Sequence, residues 1–171
     1  MGLPQDPNAA PQGHPPTEQS SSSTAPPKSV SDLPPEALQL ATRLFDYARH
    51  GSTDELSQYL SAGIPINLTN HKGDTLLMLA AYHGHLPTVH MLLAKGADPD
   101  VLNDRGQSIV AGAVFKGEDE VVRALVEAGK ADLEKGQPSA REAAVMFRRL
   151  GCLRLFGMEE EASKIEAEAP A

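Results

Sequence analysis

The sequence contains no tryptophan and one cysteine, and only 4% of its 171 residues are aromatic. A single cysteine, Cys152, excludes an internal disulfide framework. So few aromatic side chains favour a thin helical array over a deep core. No apolar run approaches the roughly 18 residues that a membrane-spanning helix requires, and no early apolar block indicates a secretory signal. We therefore expect no association with a membrane.

Basic residues are also in short supply, 15 against 23 acidic ones, so the formal charge at pH 7 is −8. Nucleic-acid binding requires a cationic surface for the phosphate backbone, and this balance disfavours it. The stretch 158–171 carries Lys164 against five glutamates. Such a run is usually solvated surface, and we describe it as an acidic C-terminal tail.

Residues 1–31 form a leader rich in proline, serine and glutamine, with four serines in a row at Ser20–Ser23. A segment with almost no large apolar residues cannot bury enough surface to offset the entropy lost on ordering. We expect it to be disordered and to act as a passive tail. Docking or phosphorylation of the leader is the alternative.

The stretch 70–102 holds two short segments whose apolar residues recur at helical spacing. Thr75 can cap the first predicted helix, and Gly84 suits the left-handed residue that ends it. Pro87 fits the first turn of the second helix, where its missing N–H costs nothing. Helices of about two to three turns are not stable alone in water, so this unit needs neighbours.

The same unit recurs along the chain with a period of 33 residues. Gly106-Gln107-Ser108 repeats Gly73-Asp74-Thr75, and an eroded fourth copy begins at Pro138-Ser139. The glycines that mark the break between the two helices of each unit are Gly51, Gly84, Gly117 and, in the fourth copy, Gly151. Chance does not maintain one period through so many glycine and leucine positions.

A helix–turn–helix unit of this length, closed by a Gly-Ala-Asp turn, resembles the ankyrin repeat. The central copy carries the resemblance most fully, in Gly73-Asp74-Thr75, Leu77, Ala80-Ala81, Gly84-His85, Val89, Leu92-Leu93 and Gly96-Ala97-Asp98. The resemblance covers residues 36–157. It implies an all-α ankyrin-repeat solenoid of helix–turn–helix units, preceded by the disordered N-terminal leader.

We therefore divide the chain into the leader 1–31, an ankyrin repeat domain 32–157 and the acidic tail 158–171. Within the domain we expect a cap 36–69, repeats 70–102 and 103–135, and a second cap 136–157. The Thr-Pro-Leu-His box of the family is replaced by Thr75-Leu76-Leu77-Met78 and then by Ser108-Ile109-Val110-Ala111. Without the histidine of the box, the resemblance implies that a polar tie between adjacent repeats is missing.

Histidines are the first candidates for chemistry, because His83, His85 and His90 fall in one predicted hairpin. A zinc site needs three or four converging ligands, and this spacing matches no familiar ligand pattern. His85 belongs to the Gly-His pair with which ankyrin-like repeats tie their turn, so structural or surface roles are favoured. Cys152 falls at the start of a predicted helix whose dipole could lower its pKa, but no base accompanies it, so we expect a packing or inert thiol. We expect no metal, no cofactor and no enzymatic activity.

The positive prediction is a binding surface. Repeats of this family expose the tips of their turns and the end of each first helix on one concave side. The residues at those positions, predicted to bind a partner, are Arg49, His50, His71, Lys72, Asp74, Tyr82, His83, Asp104, Arg105, Gln107, Phe115, Lys116 and Arg149. Aromatic and arginine side chains together are typical interface anchors. The alternative is that helix ends attract cations to the dipole and that the aromatics cover their neighbours.

The sequence therefore predicts a non-catalytic adaptor or regulator that binds one protein partner through this concave groove. We expect the partner to offer an acidic or mixed acidic–apolar segment, and we expect a monomer in the cytoplasm, with nuclear entry left open. One alternative is a chaperone-like protein whose acidic tail shields a basic client. A second, disfavoured alternative is a metal-dependent enzyme that uses the His83–His90 cluster.

Overall fold

The computed structural model describes residues 35–168, and that part of the chain contains helices and no strand. In chain order the helices are α1 (Pro35–His50), α2 (Thr53–Ser61), α3 (Leu76–Tyr82), α4 (Leu86–Ala94), α5 (Ile109–Lys116), α6 (Asp119–Glu127), α7 (Ala140–Met146), α8 (Leu150–Leu155) and α9 (Glu159–Ala167). The predicted all-α fold is confirmed. The predicted leader 1–31 lies outside the described residues. No helix within 35–168 is long and apolar enough to span a membrane.

The helices form two layers. The first helices of the four units, α1, α3, α5 and α7, pack side by side, and the second helices, α2, α4, α6 and α8, pack in a second layer. Part of the acidic stretch belongs to the folded domain, because α9 packs against α8 and buries Ala162. Small residues let the inner helices approach closely, and those with no exposed surface are Ala48, Ala80, Ala81, Ala113, Ala140, Ala143 and Ala144.

Each of the helices α3, α5 and α7 begins at a hydroxyl side chain that accepts a hydrogen bond from a free backbone N–H. Thr75 Oγ1 accepts from the Met78 N–H at 3.1 Å, and Ser108 Oγ accepts from the Ala111 N–H at 3.2 Å. Ser139 is part of a full capping box, in which its own N–H donates to the Glu142 carboxylate. These caps satisfy donors that a helix start leaves unpaired, and they fix where each inner helix begins.

The turn between the two helices of a unit needs one residue with a left-handed backbone. Gly84 has a φ of +74°, as the glycine pattern predicts. In the fourth unit, however, this position is taken by Arg148 with a φ of +52°, while Gly151 lies inside α8. The predicted break at Gly151 is therefore wrong. The reason is that Ser139 follows Ser108 by 31 residues, so the last unit departs from the 33-residue period.

The third unit departs from the period in the other direction, by one added residue. Gly96 ends the second unit with a φ of +89°, whereas in the third unit Lys130, with a φ of +56°, takes the left-handed conformation. Gly129 precedes it, and a Cβ there would lie 2.6 Å from the Leu125 carbonyl oxygen. The longer turn therefore fits only because position 129 is a glycine, which has no Cβ to clash with that carbonyl.

Polar contacts link adjacent repeats even though buried Met78 replaces the histidine of the box. Asn103 Nδ2 donates to Asp74 Oδ1 at 3.0 Å, and the Asp104 N–H donates to the Lys72 carbonyl at 3.0 Å. The expectation of a missing tie is therefore corrected. The turns between repeats supply the hydrogen bonds that the box does not, and they hold neighbouring loop tips in register.

Candidate protein-binding groove

A cavity of about 520 Å³ opens between the inner helices α3, α5 and α7 and the turns that precede them. We call this cavity and the side chains around it the groove. Its apolar lining comes from successive repeats, with Met78 and Leu79 on α3, Ile109 and Gly112 on α5, and Ala143 on α7. The sequence places small residues at two of these positions, which leaves open space above α5 and α7.

Three aromatic rings stand at the helix-end side of the groove. Tyr82, Phe115 and Phe147 are 38%, 49% and 39% exposed, although each is a large side chain on an inner helix or at its end. Phe115 and Phe147 meet edge to face with their ring centroids 5.0 Å apart. Met146, which also lines the cavity, is 64% exposed. These neighbouring exposed side chains form an apolar wall that the rest of the described chain leaves uncovered.

The turn side of the groove carries two cations, Lys72 and Arg105. Neither has a carboxylate partner among residues 35–168, although six ion pairs form elsewhere in that range. Lys116 likewise lacks a carboxylate partner within the described part of the chain, and its Nζ stands 5.2 Å from the centroid of the Tyr82 ring. In a protein with an excess of acidic residues, these cations stay available to an anion from outside.

The histidines beside the groove have different roles. The His83 ring meets Tyr82 edge to face at 5.6 Å and stacks with His85 at 6.3 Å. Partial burial, followed by the charges of His85 and nearby cations, lowers the pKa of His83, so its ring is largely neutral at pH 7. His85 Nε2 lies 2.6 Å from the carbonyl oxygen of Arg49 and so ties two repeats together.

The structure brings seven of the thirteen predicted residues together around the cavity: Lys72, Asp74, Tyr82, His83, Arg105, Gln107 and Phe115. Within this set Asp74 is already committed, because its carboxylate accepts hydrogen bonds from Asn70 and Asn103. Of the five predicted cations only Lys72 and Arg105 line the cavity, so the groove is less cationic than the predicted set of residues indicates. The remaining six predicted residues, Arg49, His50, His71, Asp104, Lys116 and Arg149, do not line the cavity.

Arg149 and Arg49 are engaged in contacts within the protein. The Arg149 guanidinium donates to the carbonyls of Val114 and Phe115 at 3.2 and 3.4 Å, and so caps the end of α5. Arg49 Nη1 pairs with Asp46 at 2.7 Å. Arg149 therefore serves a helix end, which is the alternative that the sequence left open for the predicted cations.

Sequence reasoning missed several apolar residues of the groove, above all Met146, Phe147 and Gly112. The residues that cap the inner helices carry the signal that places them. Aligning Ser139 with Ser108, 31 residues apart, places Met146 and Phe147 at the positions of Phe115 and Lys116. The 33-residue period places the last repeat unit out of register, so it does not align Met146 and Phe147 with groove positions.

Cys152 is a buried thiol, a placement consistent with the packing or inert role expected from the sequence. Burial, the negative charge of Asp119 and a 3.4 Å hydrogen bond from Sγ to Asp119 Oδ1 raise the pKa of Cys152 to about 12. Burial and Asp119 therefore outweigh any lowering of this pKa by the helix dipole. Among residues 35–168, no group of three or more histidine, cysteine, aspartate or glutamate side chains is placed to hold a metal ion.

We expect Cys152 to resist a thiol reagent in the native protein at pH 8, because with a pKa near 12 only about one molecule in 10⁴ carries the thiolate. The native pKa lies above the unfolded value, so burial of the neutral thiol stabilises the fold below pH ~8.5 and this contribution is lost as pH rises toward 12. The rate of labelling by a chromogenic disulfide measures the reactivity of the Cys152 thiol. Guanidinium-unfolded protein is the control, and rapid stoichiometric labelling without unfolding would contradict the assignment.

Residues 44–156 match the family profile of ankyrin repeats, in three copies. The match covers most of the chain, and the chain therefore belongs to the ankyrin repeat family, as the sequence predicts. Proteins of this family are generally non-catalytic interaction modules, so the repeats indicate a module for protein–protein interaction.

A curated relative is the Pseudomonas aeruginosa PAO1 protein PA3287, whose name describes it as an ankyrin repeat protein. It is 52% identical to this chain over 60 residues. The matched segment makes up 35% of this chain and 35% of PA3287, so the similarity spans little more than a third of either protein.

Proposed function

We propose that this protein is a non-catalytic adaptor or regulator that holds one protein partner in the groove, and that the partner contributes an acidic or mixed acidic–apolar segment. The observation that carries the proposal is the pairing of an apolar cavity with cations that lack a carboxylate partner among the described residues, Lys72 and Arg105.

The charge pattern favours an acidic partner over a basic one. Most arginines of the described chain are neutralised locally, as in the pairs of Arg148 with Glu168 and of Arg154 with Glu166. A carboxylate that approaches Lys72 or Arg105 gains a charge-assisted hydrogen bond without displacing an existing pair. Complementary charge of this kind speeds association and sets specificity more than it sets affinity.

The aromatic wall supplies the affinity in this proposal. Tyr82 and Phe115 are large, rigid side chains already held in place by their neighbours, so they lose little conformational freedom when a partner covers them. Interfaces draw most of their binding energy from a few such residues, with the charged rim adding selectivity. The monomeric state and the cytoplasmic or nuclear location stay predictions.

The chaperone-like alternative also stays a prediction, and the groove is better supported. The acidic stretch forms α9, and two of its glutamates, Glu166 and Glu168, pair with arginines of the same chain. These ion pairs join the end of the acidic stretch to the last repeat. Fewer carboxylates then remain for a basic client than the sequence suggests.

Removing the two cations should weaken partner binding and make it insensitive to salt. We expect the double variant Lys72→Gln with Arg105→Gln to bind the partner about tenfold more weakly at low ionic strength, since two charge-assisted contacts are lost. At high salt, where the wild-type contacts are screened, the two proteins should bind alike. Calorimetric titration of a partner recovered by affinity purification measures both conditions.

The matched control is Lys130→Gln with Lys164→Gln, which removes the same charge from exposed lysines outside the groove. If this control weakens binding as much as the groove variant does, net charge alone explains the effect. The proposal would then lose its main support.

A further inference from the structure

Gly112 is placed where the fold has no need of a glycine. It lies inside α5, its N–H donates to the Ser108 carbonyl at 3.1 Å, and its backbone is helical. A Cβ added there would meet one atom within 4 Å, the Tyr82 Cδ2 at 3.7 Å, which is an ordinary van der Waals distance. Glycine in a helix interior weakens the helix relative to alanine. Folding alone therefore favours a side chain at this position.

The equivalent positions in the neighbouring repeats do carry side chains. They are Leu79 on α3 and Ala143 on α7, and both are buried at the edge of the same cavity. Most other glycines of the described chain have a left-handed backbone, which explains them without reference to binding. Gly112 has no such explanation, and its missing side chain leaves the cavity open above α5.

The surroundings of Gly112 match a large apolar side chain. Ile109 and Phe115 lie one helical turn before and after it, on the same face of α5. The Tyr82 ring borders it from α3, and Met146 and Phe147 close the cavity from the α7 side. A ligand side chain resting on Gly112 would thus be enclosed by apolar atoms from three repeats.

We propose that Gly112 is a specificity-determining residue, whose bare backbone forms the floor of a pocket for one large apolar side chain of the partner, such as Phe, Met or Leu. This inference rests on the proposed function, because the carboxylates beside that anchor are what Lys72 and Arg105 would recognise. The groove then reads a short segment with one apolar anchor next to acidic residues. An apolar side chain alone would leave Lys72 and Arg105 unpaired, and acidic residues alone would leave the pocket empty.

Selection of peptides tests the inference. A phage-displayed library of random dodecapeptides is panned on the full-length wild-type protein, on Gly112→Leu and on Gly112→Ala. Gly151→Ala is the matched control, since Gly151 also lies within a helix, would place its Cβ at an ordinary 3.5 Å from Asp119 Oδ2 and does not line the groove. We expect wild type and Gly151→Ala to enrich peptides in which Phe, Met or Leu adjoins Asp or Glu.

Gly112→Leu should lose this apolar preference and bind the selected peptides at least about tenfold more weakly, because its own side chain occupies the pocket. Gly112→Ala should melt a few degrees above wild type, as a glycine that serves only binding predicts. A lower melting temperature for Gly112→Ala would make the glycine structural and overturn the inference, and this readout decides the matter if Gly112→Leu fails to fold.

The remaining outcomes separate the two proposals. Enrichment of acidic peptides without an apolar anchor, or an unchanged affinity for Gly112→Leu, overturns the pocket while the acidic groove stands. If the wild-type protein enriches no peptide beyond what the Lys72→Gln/Arg105→Gln variant enriches, the proposed function itself fails and takes the pocket with it.

Discussion

Replacing Tyr82 and Phe115 together by alanine is expected to weaken partner binding by about a hundredfold, which is the largest functional effect that we predict for this protein. Each ring is a preformed anchor: Lys116 stands over Tyr82, and Phe147 supports Phe115. Truncation removes the apolar contact area together with the cation–π site and the edge-to-face pair. Calorimetric titration with a partner identified by affinity purification and mass spectrometry measures the loss.

The fold should survive this double change, because Tyr82 and Phe115 are 38% and 49% exposed. The matched control is Leu38→Ala with Leu102→Ala, which removes two apolar side chains of similar exposure that do not line the groove. We expect the control to bind as wild type does. Equal affinity of the Tyr82/Phe115 variant and wild type would show that the partner binds elsewhere.

Leu92→Ala is expected to have the largest effect on stability, a loss of about 3–5 kcal/mol in the free energy of unfolding. Leu92 has no exposed surface and belongs to α4, which packs against α3 in its own repeat and against α2 and α6 on either side. A cavity at this point therefore weakens the contacts of the central unit with both neighbours. In a short linear array, each unit depends for its stability on its interfaces with both neighbours.

Chemical denaturation followed by circular dichroism measures this loss. The control is Leu93→Ala, which deletes the same atoms one residue further along α4, where the side chain is half-buried. We expect a clearly smaller loss there, because less apolar surface is removed from the core. Similar losses for the two variants would mean that the assigned faces of α4 are wrong.

The fold was readable from the sequence wherever a residue type has one structural reason to recur. Thr75 and Ser108 cap helices because they supply an acceptor at the helix start, and Gly84 and Gly117 tolerate a left-handed backbone that other residues resist. A fixed period carries such positions. It could not reveal Arg148 in a left-handed conformation, because the last unit departs from that period and no glycine marks the position.

The candidate site was predictable only in part, for a related reason. The period identifies which positions face the inner layer, and so it located Tyr82, Phe115, Lys72 and Arg105. It does not tell whether a cation faces outward or turns back to cap a helix, as Arg149 does. Nor does it show empty space, which is why Gly112 has no signal until neighbouring repeats are placed around it.

The central claim is that the groove is the surface that holds the partner, and photo-cross-linking tests it most directly. A photoreactive phenylalanine analogue placed at position 115 lies on the groove, whereas one at position 38 lies outside it. We predict that position 115 captures the partner and that the cross-linked peptide contains an apolar residue beside Asp or Glu. Capture from position 38 with none from position 115 would contradict the account.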